Sequence, residues 1–157
     1  MGSFARAFVK RMARAFAGRQ GRHGGIVLVP VAINGTFTDA TGWALAGSCT
    51  IDTGSLHCAN TAANVTNSYA ISLPAGTYRI NWEILAPFTA GNASVRLFAG
   101  SAIAGATRSA GADPAGAYVD DITVTAAVTA LEVRVTRQGT TMDCRIDNIT
   151  LNQIVQE

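Results

Sequence analysis

The chain has 157 residues and a net charge of +2, which allows one domain of ordinary size and an extension. Only 14% of its residues are charged, against roughly 25% in a usual soluble domain, and the charges are segregated. Met1 to Pro30 hold Arg6, Lys10, Arg11, Arg14, Arg19 and Arg22 and no acid, whereas from Val31 onward six arginines face ten acids, so a basic arm leads a mildly acidic body.

The spacing of Phe4, Phe8, Met12 and Phe16 puts all four on one stripe of an α-helix, with Ser3 as N-cap and Gly18 as stop. Arg6, Lys10, Arg11 and Arg14 fall mostly off that stripe. A helix of about 14 residues is marginal alone in water. Burying each phenylalanine is worth roughly 1.5–3 kcal/mol, so the helix is expected to dock in a groove of a neighbouring protein. Placement on a membrane surface, contact with nucleic acid and packing on its own domain are the competing readings. Arginines interrupt every apolar run, unlike a secretory signal.

The Gly21–Gly25 stretch reads as a tether, and the division expected is 1–30 for arm and tether and 31–157 for the body. Ile26 to Ile33 is too short for the ~18–20 apolar residues of a membrane span and holds Pro30, so it reads as an entry strand.

From Asn34 onward, short alternating strands are punctuated by turn residues, the pattern of an all-β sandwich. Tyr78, Ile80, Trp82 and Ile84 alternate with Arg79, Asn81 and Glu83, giving one core face and one wet face. Val95 and Leu97 behave alike, as do Leu131, Val133 and Val135, and Tyr118, Ile122 and Val124 share one parity. The last strand changes parity between Ile146 and Ile149, which a bulge at Asp147-Asn148 would reconcile.

A hairpin centred on Thr53-Gly54 would bring Cys49 opposite Cys58. The odd count of three cysteines favours free, half-buried thiols over that disulfide, and the spacing fits no zinc motif. No catalytic set assembles either. His23 lies in the tether and His57 in a hairpin, and the strand neighbours Asp120 and Asp121 point to opposite faces. The chain is therefore not expected to be an enzyme.

Four segments occur together in the order of a known family. Asn34-Gly35-Thr36-Phe37-Thr38-Asp39 with Thr41-Gly42-Trp43, the hairpin within Gly47 to Leu56, Leu73-Pro74-Ala75-Gly76-Thr77-Tyr78, and Ile146-Asp147-Asn148-Ile149-Thr150-Leu151 resemble jelly-roll modules of the carbohydrate-binding type, families four and nine. The likeness runs from Asn34 to about Val155 and implies two antiparallel sheets with one concave face open to a ligand. It further implies a structural calcium, for which Asp39 and Asp147 are the positions that carry over, and glycan stacking, for which Phe88, Phe98 and Tyr69 are the candidate rings. Core or turn packing is the plainer expectation for each ring.

Short modules of this kind also look like domains of tailed-phage virion proteins. That likeness implies a capsid-decoration or head-spike subunit in the virion, homo-oligomeric and anchored by its helix to other virion proteins. A glycan-binding receptor module on a tail appendage is the alternative.

Overall fold

The computed structural model describes residues 24–60, 64–137 and 142–157. The expected anchor helix, with Phe4, Phe8, Met12, Phe16 and its basic residues Arg6, Lys10, Arg11 and Arg14, lies outside the described residues.

Those described form twelve strands: β1 (Ile26–Val31), β2 (Trp43–Ala44), β3 (Cys49–Asp52), β4 (Ser55–Ala59), β5 (Asn64–Leu73), β6 (Gly76–Thr89), β7 (Gly91–Phe98), β8 (Ala102–Ala104), β9 (Arg108–Ser109), β10 (Gly116–Val124), β11 (Val128–Arg137) and β12 (Asp143–Gln156). Sheet A runs β10-β6-β12-β4-β3 with β1 also on β12, and sheet B runs β2-β5-β11-β7-β8 with β9 also on β7. Every pairing is antiparallel. The all-β sandwich expected from the alternation is present. Its first strand begins at Ile26, inside the stretch assigned to arm and tether.

Period-two alternation builds the core. Tyr78, Ile80, Trp82 and Ile84 of sheet A are buried in one cluster with Val95, Leu97, Leu131, Val133 and Val135 of sheet B. Consecutive strands mostly change sheets (β4 to β5, β5 to β6, β6 to β7, β10 to β11, β11 to β12), so the core joins residues remote in sequence.

The long strand β12 organises sheet A. Between Asp147 and Thr150 its register against β6 shifts, and Asn148 adopts φ 51°. The extra residue resets the alternation, so Cys144 and Ile146 before it and Ile149 and Leu151 after it all face the core. Along its other edge β12 pairs first with β4, over Asp143 to Ile146, and then with β1, over Leu151 to Gln156. In the gap the Gly35 carbonyl accepts the Ile149 N–H at 2.9 Å. A Cβ on Gly35 would lie 1.8 Å from the Ile149 carbonyl oxygen, so only glycine allows this approach.

Thr53 (φ 49°) and Gly54 (φ 76°) make the two-residue turn joining β3 to β4, both in the left-handed region that a type I′ hairpin requires. The register opposes Cys49 to Cys58, with Cα atoms 4.1 Å apart, and the two form a disulfide. This corrects the expectation of free thiols: the odd cysteine count gave the wrong weight, because only one of the three is left over. That one is Cys144, buried and in register with Cys58 on β12. Burial, and secondly the nearby Asp143 charge, push its thiol up to about 12.

Two turns share a device that the sequence reading missed. In Pro74-Ala75-Gly76-Thr77-Tyr78 the tyrosine hydroxyl donates to the Pro74 carbonyl at 2.7 Å. In Pro114-Ala115-Gly116-Ala117-Tyr118 the Tyr118 hydroxyl does the same to Pro114. Each clasp opens a long strand of sheet A, β6 and β10, which lie side by side.

Candidate functional site

The outer face of sheet B carries a polar cleft. Strand alternation turns Asn92, Ser94 and Arg96 of β7 outward beside Glu132, Arg134 and Thr136 of β11 and Asn64 and Thr66 of β5. Ala104 and Thr107, on the segment from β8 to β9, wall one side, and the cavity holds about 240 Å³. Arg96 Nη2 contacts Glu132 Oε2 at 2.7 Å and Thr66 Oγ1 at 3.3 Å, and both charged side chains are only 13% exposed. Arg134 donates to Asn64 Oδ1 at 3.1 Å, and the Thr136 hydroxyl donates to the same oxygen at 2.9 Å.

Asp120 of β10 pins that wall from within. Its carboxylate, 6% exposed, accepts from Trp82 Nε1 at 2.8 Å, from Arg108 Nη2 at 2.9 Å and from the Ala106 N–H at 3.1 Å. The Arg108 guanidinium also lies over the Tyr118 ring at 4.5 Å. A carboxylate taken from water needs such partners, and here they tie sheet A to the segment that walls the cleft. The sequence held a signal that went unread: Asp120 interrupts the inward row of Tyr118, Ile122 and Val124. Its neighbour Asp121 points outward as expected and meets Arg79 through two hydrogen bonds of 2.7 and 2.8 Å. That pairing holds the Asp121 carboxyl below the usual carboxylate range and raises Arg79.

Outward on sheet A, His57 Nε2 lies 2.9 Å from Asp143 Oδ1, and its Nδ1 lies 3.8 Å from Asp52 Oδ2. Arg145 closes on Asp52 at 3.0 Å and on the Ser55 hydroxyl at 3.3 Å. Both imidazole nitrogens face carboxylates, and the cluster staples the β3–β4 hairpin to β12.

Of the pair carried over for calcium, Asp39 accepts the Thr41 N–H at 2.8 Å and the Asn34 amide at 3.2 Å, and Thr41 in first place lowers its pKa. Asp147 accepts the Asn148 N–H at 2.6 Å. Among the described residues no group of three or more His, Cys, Asp or Glu could hold a metal ion.

The candidate stacking rings are dispersed. Tyr69 packs on Trp43 with ring centroids 5.4 Å apart, Phe88 lies on β6 rather than at a turn and packs against the core, and Phe98 is half-buried on β7. None of the three lines the polar cleft, but Tyr69 lines a more open hollow of about 440 Å³ together with Asp39.

The remaining distinctive surface is β1. Among the described residues it pairs with β12 alone, along one edge, and it is apolar throughout: Ile26 is 64% exposed, Val29 44%, Leu28 41%, and Val155 beside them on β12 38%. It begins two residues after the described chain does, where the basic arm joins. No described helix is long and apolar enough to cross a membrane. Compared with known proteins, the chain matches no family model and no curated relative.

Proposed function

We propose that this chain is a non-enzymatic structural subunit of a larger assembly, in the setting its motifs resemble a capsid-decoration or head-spike protein of a tailed-phage virion. In this reading the arm fixes the subunit to other virion proteins, and a jelly-roll sandwich projects from them or cements them. The observation that carries it is β1: an uncharged, solvent-exposed apolar strand placed where the basic arm meets the body. Exposed apolar area of this kind marks association surfaces.

The test is deletion of residues 1–24, leaving β1 intact. The truncated protein is expected to remain folded and to lose incorporation into its particle, and incorporation at full occupancy would refute the anchoring role. Phe8→Ala with Phe16→Ala should abolish attachment, whereas Arg6→Gln with Arg14→Gln should weaken it mildly, since exposed ion pairs give only ~0–1 kcal/mol. The reverse ranking would favour a nucleic-acid or anionic-lipid partner.

The second reading is a glycan-binding receptor module, for which the polar cleft on sheet B is one candidate site. At about 240 Å³ the cleft falls below the roughly 300–1,000 Å³ of usual ligand sites and no aromatic ring lines it, and the more open hollow of about 440 Å³ at Asn34, Thr38 and Asp39 offers a single ring, Tyr69. Binding to host polysaccharides is therefore expected no tighter than millimolar order, about −4 kcal/mol. A calorimetric titration showing micromolar binding, lost on Arg134→Ala, would promote this reading over the structural one.

A further inference from the structure

We propose that β1 is a homotypic docking edge: the β1 strands of two copies pair antiparallel about a two-fold axis at Leu28 and join two A sheets into one. The inference rests on the structural reading above and names one partner of that assembly as a second copy of this chain.

The main chain makes the first argument. The Glu157 N–H donates to the Gly25 carbonyl at 3.1 Å, and the register continues from Ile26↔Gln156 to Val31↔Leu151. In an antiparallel ladder the bonded pairs alternate. Val27, Val29 and Val31 therefore turn their N–H and C=O groups toward β12, and Ile26, Leu28 and Pro30 turn theirs to the open edge. Pro30 has no N–H, so its position costs the β12 ladder nothing. A two-fold at Leu28 matches Leu28 with its own copy through two hydrogen bonds and gives each Pro30 carbonyl an Ile26 N–H from the other chain. Only the two Ile26 carbonyls then lack a donor. The open edge is nearly complementary to itself.

Charge makes the second. From Gly24 to Thr38 there is no charged residue, so nothing on β1 repels its copy. The arm attached to each β1 carries all six of its cationic side chains without an acid. Antiparallel pairing sends the two arms off at opposite ends, with the Gly25 residues roughly 20 Å apart at ~3.4 Å per residue. That exceeds the ~8–10 Å over which charges act at moderate salt. Parallel pairing would set the arms side by side.

Apolar burial makes the third. Leu28 would meet its own copy on the outer face with Ile26 and Pro30 alongside, and exposed Val29 would meet its counterparts on the other face. A six-residue strand pair is small beside the ~1,200–2,000 Å² of stable complexes, so a dissociation constant of roughly 10–100 μM is expected for the isolated protein.

The test uses the full chain. Leu28→Cys places one new exposed thiol on the axis, where bonded antiparallel pairs have Cα atoms about 5.5 Å apart, within disulfide range. Mild oxidation should give a covalent dimer on a non-reducing gel. Ile26→Cys, whose partner is residue 30 of the other chain, should give at least tenfold less. Leu28→Pro removes the outward N–H while keeping the β12 ladder, and it should lower association at least tenfold in sedimentation velocity with unchanged thermal stability. Equal cross-linking at residues 26 and 28, or a dimer insensitive to Leu28→Pro, would overturn the proposal. So would a monomer at 1 mM whose Ile26 and Leu28 amides are protected from exchange, because the chain's own arm would then cover the edge. Deleting the arm should leave β1 pairing intact, so failure of the dimer and failure of the anchoring role are read separately.

Discussion

The outer face of sheet B and the open edge of sheet A are both surfaces, but they are built on opposite principles. The sheet B face is polar and bonded largely to itself: Arg96 holds Glu132, Arg134 holds Asn64, and Asp120 holds the wall segment from beneath, with the buried Nε atoms of Arg96 and Arg108 left without a partner among the described residues. The β1 edge is apolar and uncharged, with main-chain groups directed outward. Polar groups that already have partners fix geometry but gain little from a newcomer, whereas exposed apolar area and open strand edges gain when covered. Substitutions on the first surface should therefore register in stability, and those on the second in association.

The largest effect is expected at Asp120. Asp120→Ala leaves the Arg108 guanidinium and the Trp82 indole N–H without their acceptor, and breaking a buried pair of this kind costs about 3–5 kcal/mol. Denaturant unfolding measures the loss, and faster amide exchange across residues 105–109 should accompany it. Asp121→Ala, one residue along on the outward face, should cost under about 1 kcal/mol because its pair with Arg79 is exposed. Equal losses at the two positions would show that Asp120 does not organise the cleft wall.

A pH-dependent effect comes next, on the inward side of β12. Cys144 is neutral in the fold, with its pKa raised from 9.0 to about 12, so it leaves stability unchanged below pH 9 and erodes it as the pH rises from there toward 12. The slope is at most about 1.4 kcal/mol per pH unit, or roughly 2 kcal/mol by pH 10.5. Tyr78, also raised by burial, acts in the same direction above pH 10. The comparison that isolates the thiol is the alkaline slope of Cys144→Ala against the parent chain, which should be shallower. The opposite sign holds at acid pH, where Asp121 and Asp39, both lowered, contribute above the ordinary carboxylate range and lose that contribution as the pH falls through it.

Arg96→Ala should have a smaller effect, about 1–2 kcal/mol, because the Glu132 side chain, 13% exposed, loses its hydrogen-bonded partner. Arg134→Ala, which forfeits only a hydrogen bond to Asn64, should stay within about 0.5 kcal/mol. Thermal unfolding of the two variants ranks the residues, and a reversed order would mean that Arg134 carries the cleft.

Much of the fold was legible because it depends on alternation. The inward rows of β6, β7 and β11 are those read from the sequence, and the parity change in β12 located its bulge at Asp147-Asn148. What escaped depends on pairings remote in sequence. The Asp120–Arg108 contact, the Arg96–Glu132 pair and the Cys49–Cys58 bond need a register that one strand's pattern does not contain. The candidate site was the least legible part. In the sequence Phe88, Phe98 and Tyr69 stand out as rings that could face a ligand, while the polar row bordering the cleft has the pattern of an ordinary wet face. β1 was recognised as a strand, but its one-sided pairing appears only once β12 is seen to supply its sole described neighbour.

The smallest stability effect should come from β1, and it is the sharpest test of the contrast. Ile26→Thr with Val29→Thr keeps β-branched residues that suit a strand and replaces a methyl or ethyl group with a hydroxyl at positions 64% and 44% exposed. Water already reaches these side chains, so the unfolding free energy should change by no more than about 0.5 kcal/mol. Their apolar area becomes valuable only when something covers it, at ~25 cal/mol per Å² removed from water. Association measured by light scattering across a concentration series should therefore fall several-fold while the thermal midpoint stays put. If the midpoint drops and association does not, β1 serves the sandwich rather than a partner, and the distinction between the two surfaces fails at this edge.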